Sequence, residues 1–420
     1  MKSSIARRLV KPIAAGALIF YVFSGISSVL NYAFYPVIAR FVTVAQYGEI
    51  QFLVSMFTQL AVGFVVLNIL AIIIGAELKN TDEQKKATHS LTVISTFITG
   101  IIIVAGAIIL IGQKNTLNIS ESSAVFALCL SLLVNVPFTI AIGKLQGNNR
   151  FVASGVISML AAFLKLLFSV SFVALGYGVT GAIFGIFIGM AVSLGIVEII
   201  NLRTQKAVNP NRQPILRKHH LVQLIFIRDR AIVALIAVTL ITLLSAADSI
   251  TSRIVLSGTE AGHYAAVATI AKMILAATSP LMWLALPPAI QNNSKTVLRY
   301  ISVALIVSII ASICFIATPS FFAHTIIGVD PKTYTDLISI ATIGMTLCAT
   351  AFIVLTAAIC MGYLRSIIIT MTLATLLYFT TILALESSVG PLVSSLYGQI
   401  IGSLGIIIGL MPKLLFSRRS

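Results

Sequence analysis

The chain has 420 residues, of which 58% are hydrophobic and 10% charged, with a mean hydropathy of +1.06. A soluble domain carries about 25% charged residues and needs a polar exterior, so this composition excludes a soluble enzyme, a disordered chain and a secreted disulfide scaffold, and indicates a membrane solvent. The 28 Lys and Arg against 12 Asp and Glu give a formal charge of +16. In a polytopic chain such an excess marks cytoplasmic loops beside anionic lipid rather than a nucleic-acid site.

Basic residues (Lys2, Arg7, Arg8, Lys11) precede the apolar run 13–38. That run is too long for a signal-peptide core and is expected to be a retained first span. Roughly 20 apolar residues cross the hydrocarbon. Eleven further runs reach that length: 50–75, 91–111, 124–143, 152–174, 178–200, 231–252, 263–288, 297–317, 337–360, 366–385 and 391–411. They predict an all-α polytopic membrane protein with twelve transmembrane helices, since barrel strands are much shorter. Pro137 and the group Pro280, Pro287 and Pro288 are expected to bend their helices. Cys129, Cys314, Cys348 and Cys360 all lie in apolar runs and read as small buried hydrophobes.

Loop charge sets the orientation. With the N-terminus inside, 22 Lys and Arg fall in inner segments and four in outer ones (Arg40, Lys114, Arg253, Lys332), while Lys165 and Lys272 lie inside spans. This asymmetry predicts cytoplasmic termini. The only long inner loop, 201–230, holds Pro210, Pro214 and seven basic residues. It reads as a cytoplasmic basic connector between an N-terminal lobe, 1–200, and a C-terminal lobe, 231–420.

An internal repeat supports that division. Near an offset of 214, Arg40 matches Arg253, Gly48 matches Gly262, Gly147 matches Gly362, and Gly185 and Gly189 match Gly398 and Gly402. Six spans per half is an even number, so the halves have parallel topology, related by an axis along the membrane normal and enclosing a central cavity. The glycines in the sixth and twelfth spans have the spacing of tight helix packing.

Polar residues inside spans supply the candidate sites. Ser24, Ser27, Ser28, Asn31 and Tyr35 form one helical stripe on the first span; Thr242, Ser245, Ser249 and Ser252 form its counterpart on the seventh. A lone hydroxyl usually bonds back to its own helix, but paired stripes suit the lining of a common cavity. A charge at the bilayer centre costs about 2.5–3.5 kcal/mol on the insertion scale. At 1.5 Å per residue, Lys165 lies about 20 Å from the inner end of the fifth span, and Lys272 about 14 Å from the outer end of the eighth. Asp248 lies near the outer end of the seventh, with Arg40 and Arg253 at the outer mouth. Lys165, Lys272 and Asp248 correspond at that offset to Phe379, Thr58 and Phe34, so they break the repeat, which favours function. A structural Asp248–Lys272 pair is the alternative. No P-loop, HExxH or CxxC motif occurs, so no catalytic residue, metal site or cofactor is expected.

Ala39-Arg40-Phe41-Val42 through Tyr47-Gly48-Glu49 carries a resemblance, as do Leu145-Gln146-Gly147-Asn148-Asn149-Arg150-Phe151 and Gly176-Tyr177-Gly178-Val179-Thr180-Gly181-Ala182. Ala247-Asp248, Glu260-Ala261-Gly262-His263-Tyr264 and Pro287 extend it. Together these stretches resemble Wzx-type polysaccharide flippases of the multidrug/oligosaccharidyl-lipid/polysaccharide exporter superfamily, over nearly the whole chain. The resemblance implies a bacterial inner-membrane protein with two six-helix lobes, which moves undecaprenyl-diphosphate-linked sugar units outward by alternating access. Membrane lipids and polysaccharide assembly proteins would be its other partners. Lys165, Lys272, Arg40 and Arg253 would hold the diphosphate. Asn31, Tyr35, Ser245 and Ser249 would bind sugar hydroxyls, and Asp248 is a candidate ion-coupling residue. A cation-coupled multidrug antiporter, favoured by Asp248 and opposed by the lysines, is the main alternative. A membrane glycosyltransferase or polymerase would want an acidic site and a large outer loop, and neither is evident.

Overall fold

The computed structural model describes residues 2–61, 63–77, 81–148, 150–205, 220–290, 294–319, 321–327 and 334–415. Residues 206–219 of the expected connector lie outside them. Among the described residues there is no strand, and thirteen α-helices follow in order. They are α1 (Lys2–Ile38), α2 (Val44–Ala61), α3 (Phe64–Glu77), α4 (Thr81–Gly112), α5 (Ser122–Gly147), α6 (Phe151–Phe172) and α7 (Gly178–Gln205). Then come α8 (His220–Val255), α9 (Gly258–Ile290), α10 (Ser294–Ala317), α11 (Leu337–Met361), α12 (Leu364–Val389) and α13 (Pro391–Leu415).

All twelve predicted spans fall on helices, with one correction. The second span, expected to be continuous over 50–75, is divided into α2 and α3 by a turn at Gly63. Glycine is about 1 kcal/mol poorer than alanine inside a helix, and uniformly apolar flanks give no periodicity to reveal the break. Several helices also begin before the expected limits. α8 has 36 residues and α4 has 32, with Lys85 and Lys86 exposed on its first turns.

Eight helical segments are long and apolar enough to cross a membrane among the described residues. α4 shows why they need lipid: only 11% of its apolar window is buried within the protein, and Phe97, Ile101, Ile108 and Ile109 point outward. In water such a face would be untenable; hydrocarbon tails cover it without cost. Pro137 lies inside α5, and α9 continues past positions 280, 287 and 288 to Ile290. The side chains of those three prolines lie outside the described residues.

The chain packs as two compact units. One comprises residues 1–34, 63–112 and 122–218; the other comprises 35–62, 113–121 and 219–420. In the first, α5 packs against α3, α4 and α7, and α7 lies along α6. Gly185 and Gly189 allow that approach: a Cβ on Gly185 would lie 2.2 Å from the Ser169 backbone nitrogen, and one on Gly189 2.5 Å from that of Lys165. The turn from α6 into α7 passes through Gly176 at φ 91 and Gly178 at φ 48, a left-handed conformation that costs other residues 1–2 kcal/mol or so. In the second unit α9 is central, meeting α2, α8, α10 and α11. This partition differs from the one drawn from the repeat, because α2 and the loop 113–121 are grouped with α8–α13.

α2 and α9 cross at a pair of repeat-related residues. A Cβ on Gly48 would sit 2.8 Å from Gly262 Cα, and one on Gly262 would sit 2.0 Å from the Val44 carbonyl oxygen. Backbone meets backbone here, so no side-chain rearrangement can make room. Overpacking of this kind costs about 1–3 kcal/mol. Gly262→Ala is expected to lower the thermal unfolding temperature in detergent. Gly106→Ala, whose Cβ would meet nothing within 4 Å, should leave it unchanged, and equal behaviour of the two variants would contradict the close crossing.

Candidate functional site

Within the first unit, one polar group is built by α1 and α6. Lys165 reaches from the middle of α6, and its ammonium donates to Asn31 Oδ1 on α1. The same Nζ lies 5.4 Å from the centre of the Phe34 ring, one turn further along α1. Asn31 is oriented by its own amide, which donates to the Ser27 carbonyl at 2.9 Å, while the Ser27 hydroxyl donates across to the Ser158 carbonyl at 3.1 Å. Gly189 presses α7 onto the backbone of α6 at Lys165 itself, which fixes where the lysine starts. The ammonium is thus half-buried and satisfied by a neutral amide and an aromatic face, with no carboxylate pairing it among the described residues. An intramembrane cation without an anion is a ready acceptor for one.

The second unit treats its lysine differently. Lys272 on α9 donates to Ser249 Oγ at 2.6 Å and lies 3.9 Å from Asp248 Oδ1. Ser249 Oγ is 3.4 Å from the same carboxylate oxygen, and Tyr264 donates to Asp248 Oδ2 at 2.9 Å. Asp248 is only 3% exposed. Its negative charge is therefore shared among a tyrosine, a serine and a lysine, all from α8 and α9. Of the rest of the seventh-span stripe, Thr242, Ser245 and Ser252 donate to carbonyls of their own helix. Only Ser249 joins the charged chain.

Arg253, near the end of α8, is buried. Its Nε donates to the Leu117 carbonyl at 2.7 Å, its Nη2 donates to the Asn118 carbonyl, and Nη2 lies 3.9 Å from Glu49 Oε2. Its repeat mate Arg40 is exposed, and Tyr35 is half-buried against the apolar core of the second unit. Within the first unit Asn31 meets Lys165; within the second, Ser249 and Asp248 meet Lys272, Arg253 holds the loop 113–121, and Ser245 bonds to its own helix.

Two partners escaped the sequence reading. Tyr264 was visible only as part of a family-like stretch, although a tyrosine one helix after a buried aspartate is a natural donor to it. Glu49 lies in the second turn of α2, just ahead of the predicted span 50–75, where a carboxylate ordinarily reads as a charge at the end of a span. Its adjacency to Gly48, mate of Gly262, was the available signal that it faces α8 and α9.

The model of a family described as polysaccharide biosynthesis protein matches residues 13–294. No curated protein matches the chain. Among solved structures, the fold is similar to the lipid II flippase MurJ in an inward closed conformation, with TM-score 0.68 and 13% identity over 95% of this chain and 89% of that one. It is similar as well to the eukaryotic MATE transporter AtDTX14, with TM-score 0.67 and 12% identity over 97% of both chains. A multidrug resistance MATE transporter of the MOP superfamily in an outward-facing conformation gives TM-score 0.61 and 14% identity, over 97% of this chain and 96% of that one. At such identities the likeness is one of fold: a polytopic bundle of helices. By the match over residues 13–294, the chain belongs to the polysaccharide biosynthesis protein family.

Proposed function

We propose that the protein is an alternating-access flippase that moves undecaprenyl-diphosphate-linked sugar units from the cytoplasmic to the outer leaflet of the bacterial inner membrane. Residues 1–200 and 231–420 would act as its two six-helix lobes. The observation that carries this reading is Lys165, a cation deep in a span whose described partners are all neutral. A lipid diphosphate brings about two negative charges that hydrocarbon cannot hold. An ammonium that already lacks a counter-ion can replace part of their hydration at little cost to itself. Asn31 would present its amide to the same headgroup or its first sugar, while the prenyl tail stays in lipid. The contact between Gly48 and Gly262 supports the two-lobe arrangement, since equivalent residues of two repeats touch only near the axis relating them. A cation-exporting antiporter would instead need an acid free to meet its substrate, whereas Asp248 is buried and engaged by Tyr264, Ser249 and Lys272.

The test is reconstitution. Purified protein in liposomes should accelerate the transbilayer movement of a fluorescent undecaprenyl-diphosphate sugar, and an organic cation should not compete. Export of the cation with no movement of the lipid would defeat the proposal. Topology can be checked in cells with an impermeant maleimide, which is expected to reach a cysteine at Thr116 and to miss cysteines at Ser3 and Arg418. The reverse pattern would overturn the inside placement of both termini.

A further inference from the structure

The outer end of the second unit is closed by an arginine gripping a loop. Arg253 is the bulkiest fully buried side chain among the described residues. What it holds is not a core but the turn 117–120: Nε and Nη2 take the Leu117 and Asn118 carbonyls, and Glu49 Oε1, beside the guanidinium, accepts the Ser120 N–H at 3.0 Å. The turn is shaped to be held. The Leu117 N–H donates to the Gln113 carbonyl at 2.9 Å and the Ile119 N–H to that of Lys114 at 2.8 Å. Asn118 adopts φ 50, a left-handed conformation that asparagine tolerates, and its amide donates to the Leu256 carbonyl at 3.4 Å. Ile119 is buried beneath. Below this layer, Tyr47 Oη and Thr269 Oγ1 share a hydrogen bond of 2.7 Å, and the Gln51 amide donates to the same Thr269 oxygen at 3.2 Å.

The elements held in this way are joined in sequence to elements of the other compact unit. Loop 113–121 runs directly into α4 and α5, which belong to the other compact unit, and α2 is joined to α3 only through the turn at Gly63. The chemistry of the grip also differs from that of a permanent seal. Apolar packing would close the same surface at no desolvation cost. A buried guanidinium sacrifices much of its hydration, and here Nη1 has no hydrogen-bond partner among the described residues. An ionic contact of this kind can exchange its partners for water when the surface opens, so its two states lie close in free energy.

We infer that Arg253, with Glu49, is a latch that fastens α2 and loop 113–121 onto α8 and α9, and that its release is the step that opens the outer side. This rests on the alternating-access reading, but it can be tested without any substrate. Thr269, 1% exposed beneath the latch, is replaced by cysteine in a chain whose four native cysteines are alanine. Its labelling by an impermeant maleimide is then timed from outside. Arg253→Gln and Glu49→Gln are each expected to speed labelling of Thr269→Cys, by about tenfold for the arginine, which loses charge-assisted hydrogen bonds. A cysteine at Ser131, fully buried in the first unit, should stay unlabelled, which separates opening from unfolding. If Arg253→Gln also exposes Ser131→Cys, the milder Glu49→Gln decides. Unchanged labelling of Thr269→Cys in the folded variants would overturn the latch. A wrong lipid substrate would leave this readout untouched, so the two proposals fail independently.

Discussion

Lys165→Ala is expected to slow translocation of a polyprenyl-diphosphate-linked sugar by at least tenfold or so while leaving the protein at least as stable as before. A hydrogen bond to a charged group contributes about 1.5–3 kcal/mol, and about 1.4 kcal/mol corresponds to a factor of ten. The stability half of the expectation follows from the partners. Lys165 donates to the Asn31 carbonyl oxygen and lies over Phe34, so its removal strands no buried carboxylate. It also spares the bilayer a cation worth up to about 3 kcal/mol against insertion. Lys165→Arg keeps the charge and should retain part of the rate. The measurement is flipping in liposomes at matched protein density, with thermal unfolding of the same preparations. Full flipping activity in Lys165→Ala would refute the cationic site.

Lys272→Ala should behave in the opposite way, as a stability mutant. It leaves Asp248 buried, with Tyr264 and Ser249 to hydrogen-bond it but no cation to balance it. Removing one partner of a buried pair costs about 3–5 kcal/mol, while neutralising both costs little. Thermal unfolding in detergent should therefore show a large fall for Lys272→Ala and near recovery for Asp248→Asn combined with Lys272→Gln. A double variant as unstable as the single one would mean that the two charges do not compensate each other. Flipping by a stable double variant would further assign the pair to the scaffold and leave Lys165 as the anion-binding lysine.

These two lysines show where sequence reading reaches and where it stops. Depth along a helix follows from counting residues, and both lysines do lie in the interior of long helices, α6 and α9. Whether a lysine meets an acid depends on helix rotation and on which helices adjoin, and the linear pattern holds neither. The alternative of an Asp248–Lys272 pair was open from sequence because both residues fall in one half; the geometry brings them to 3.9 Å with Ser249 between. The spans themselves were legible because lipid imposes a length and a polarity on every crossing. The break at Gly63 was not, because Leu60-Ala61-Val62-Gly63-Phe64 is apolar throughout and one glycine is tolerated in many helices. Which hydroxyls of the paired stripes turn inward was not legible either: Ser28, Thr242, Ser245 and Ser252 each donate to a carbonyl of their own helix.

The contact of Gly48 with Gly262 has a consequence for ancestry. If the two repeats were once separate copies that paired, a two-fold pairing would have brought a residue onto itself only where the axis passes. The crossing of α2 and α9 marks that place. In an unfused six-helix precursor, this glycine would have faced the same glycine of a second molecule. One substitution there would then have introduced two side chains into one gap, so glycine would have been held at that position twice over. Fusion would then have freed each half to change alone, as the matched pair of an exposed Arg40 and a buried Arg253 would illustrate.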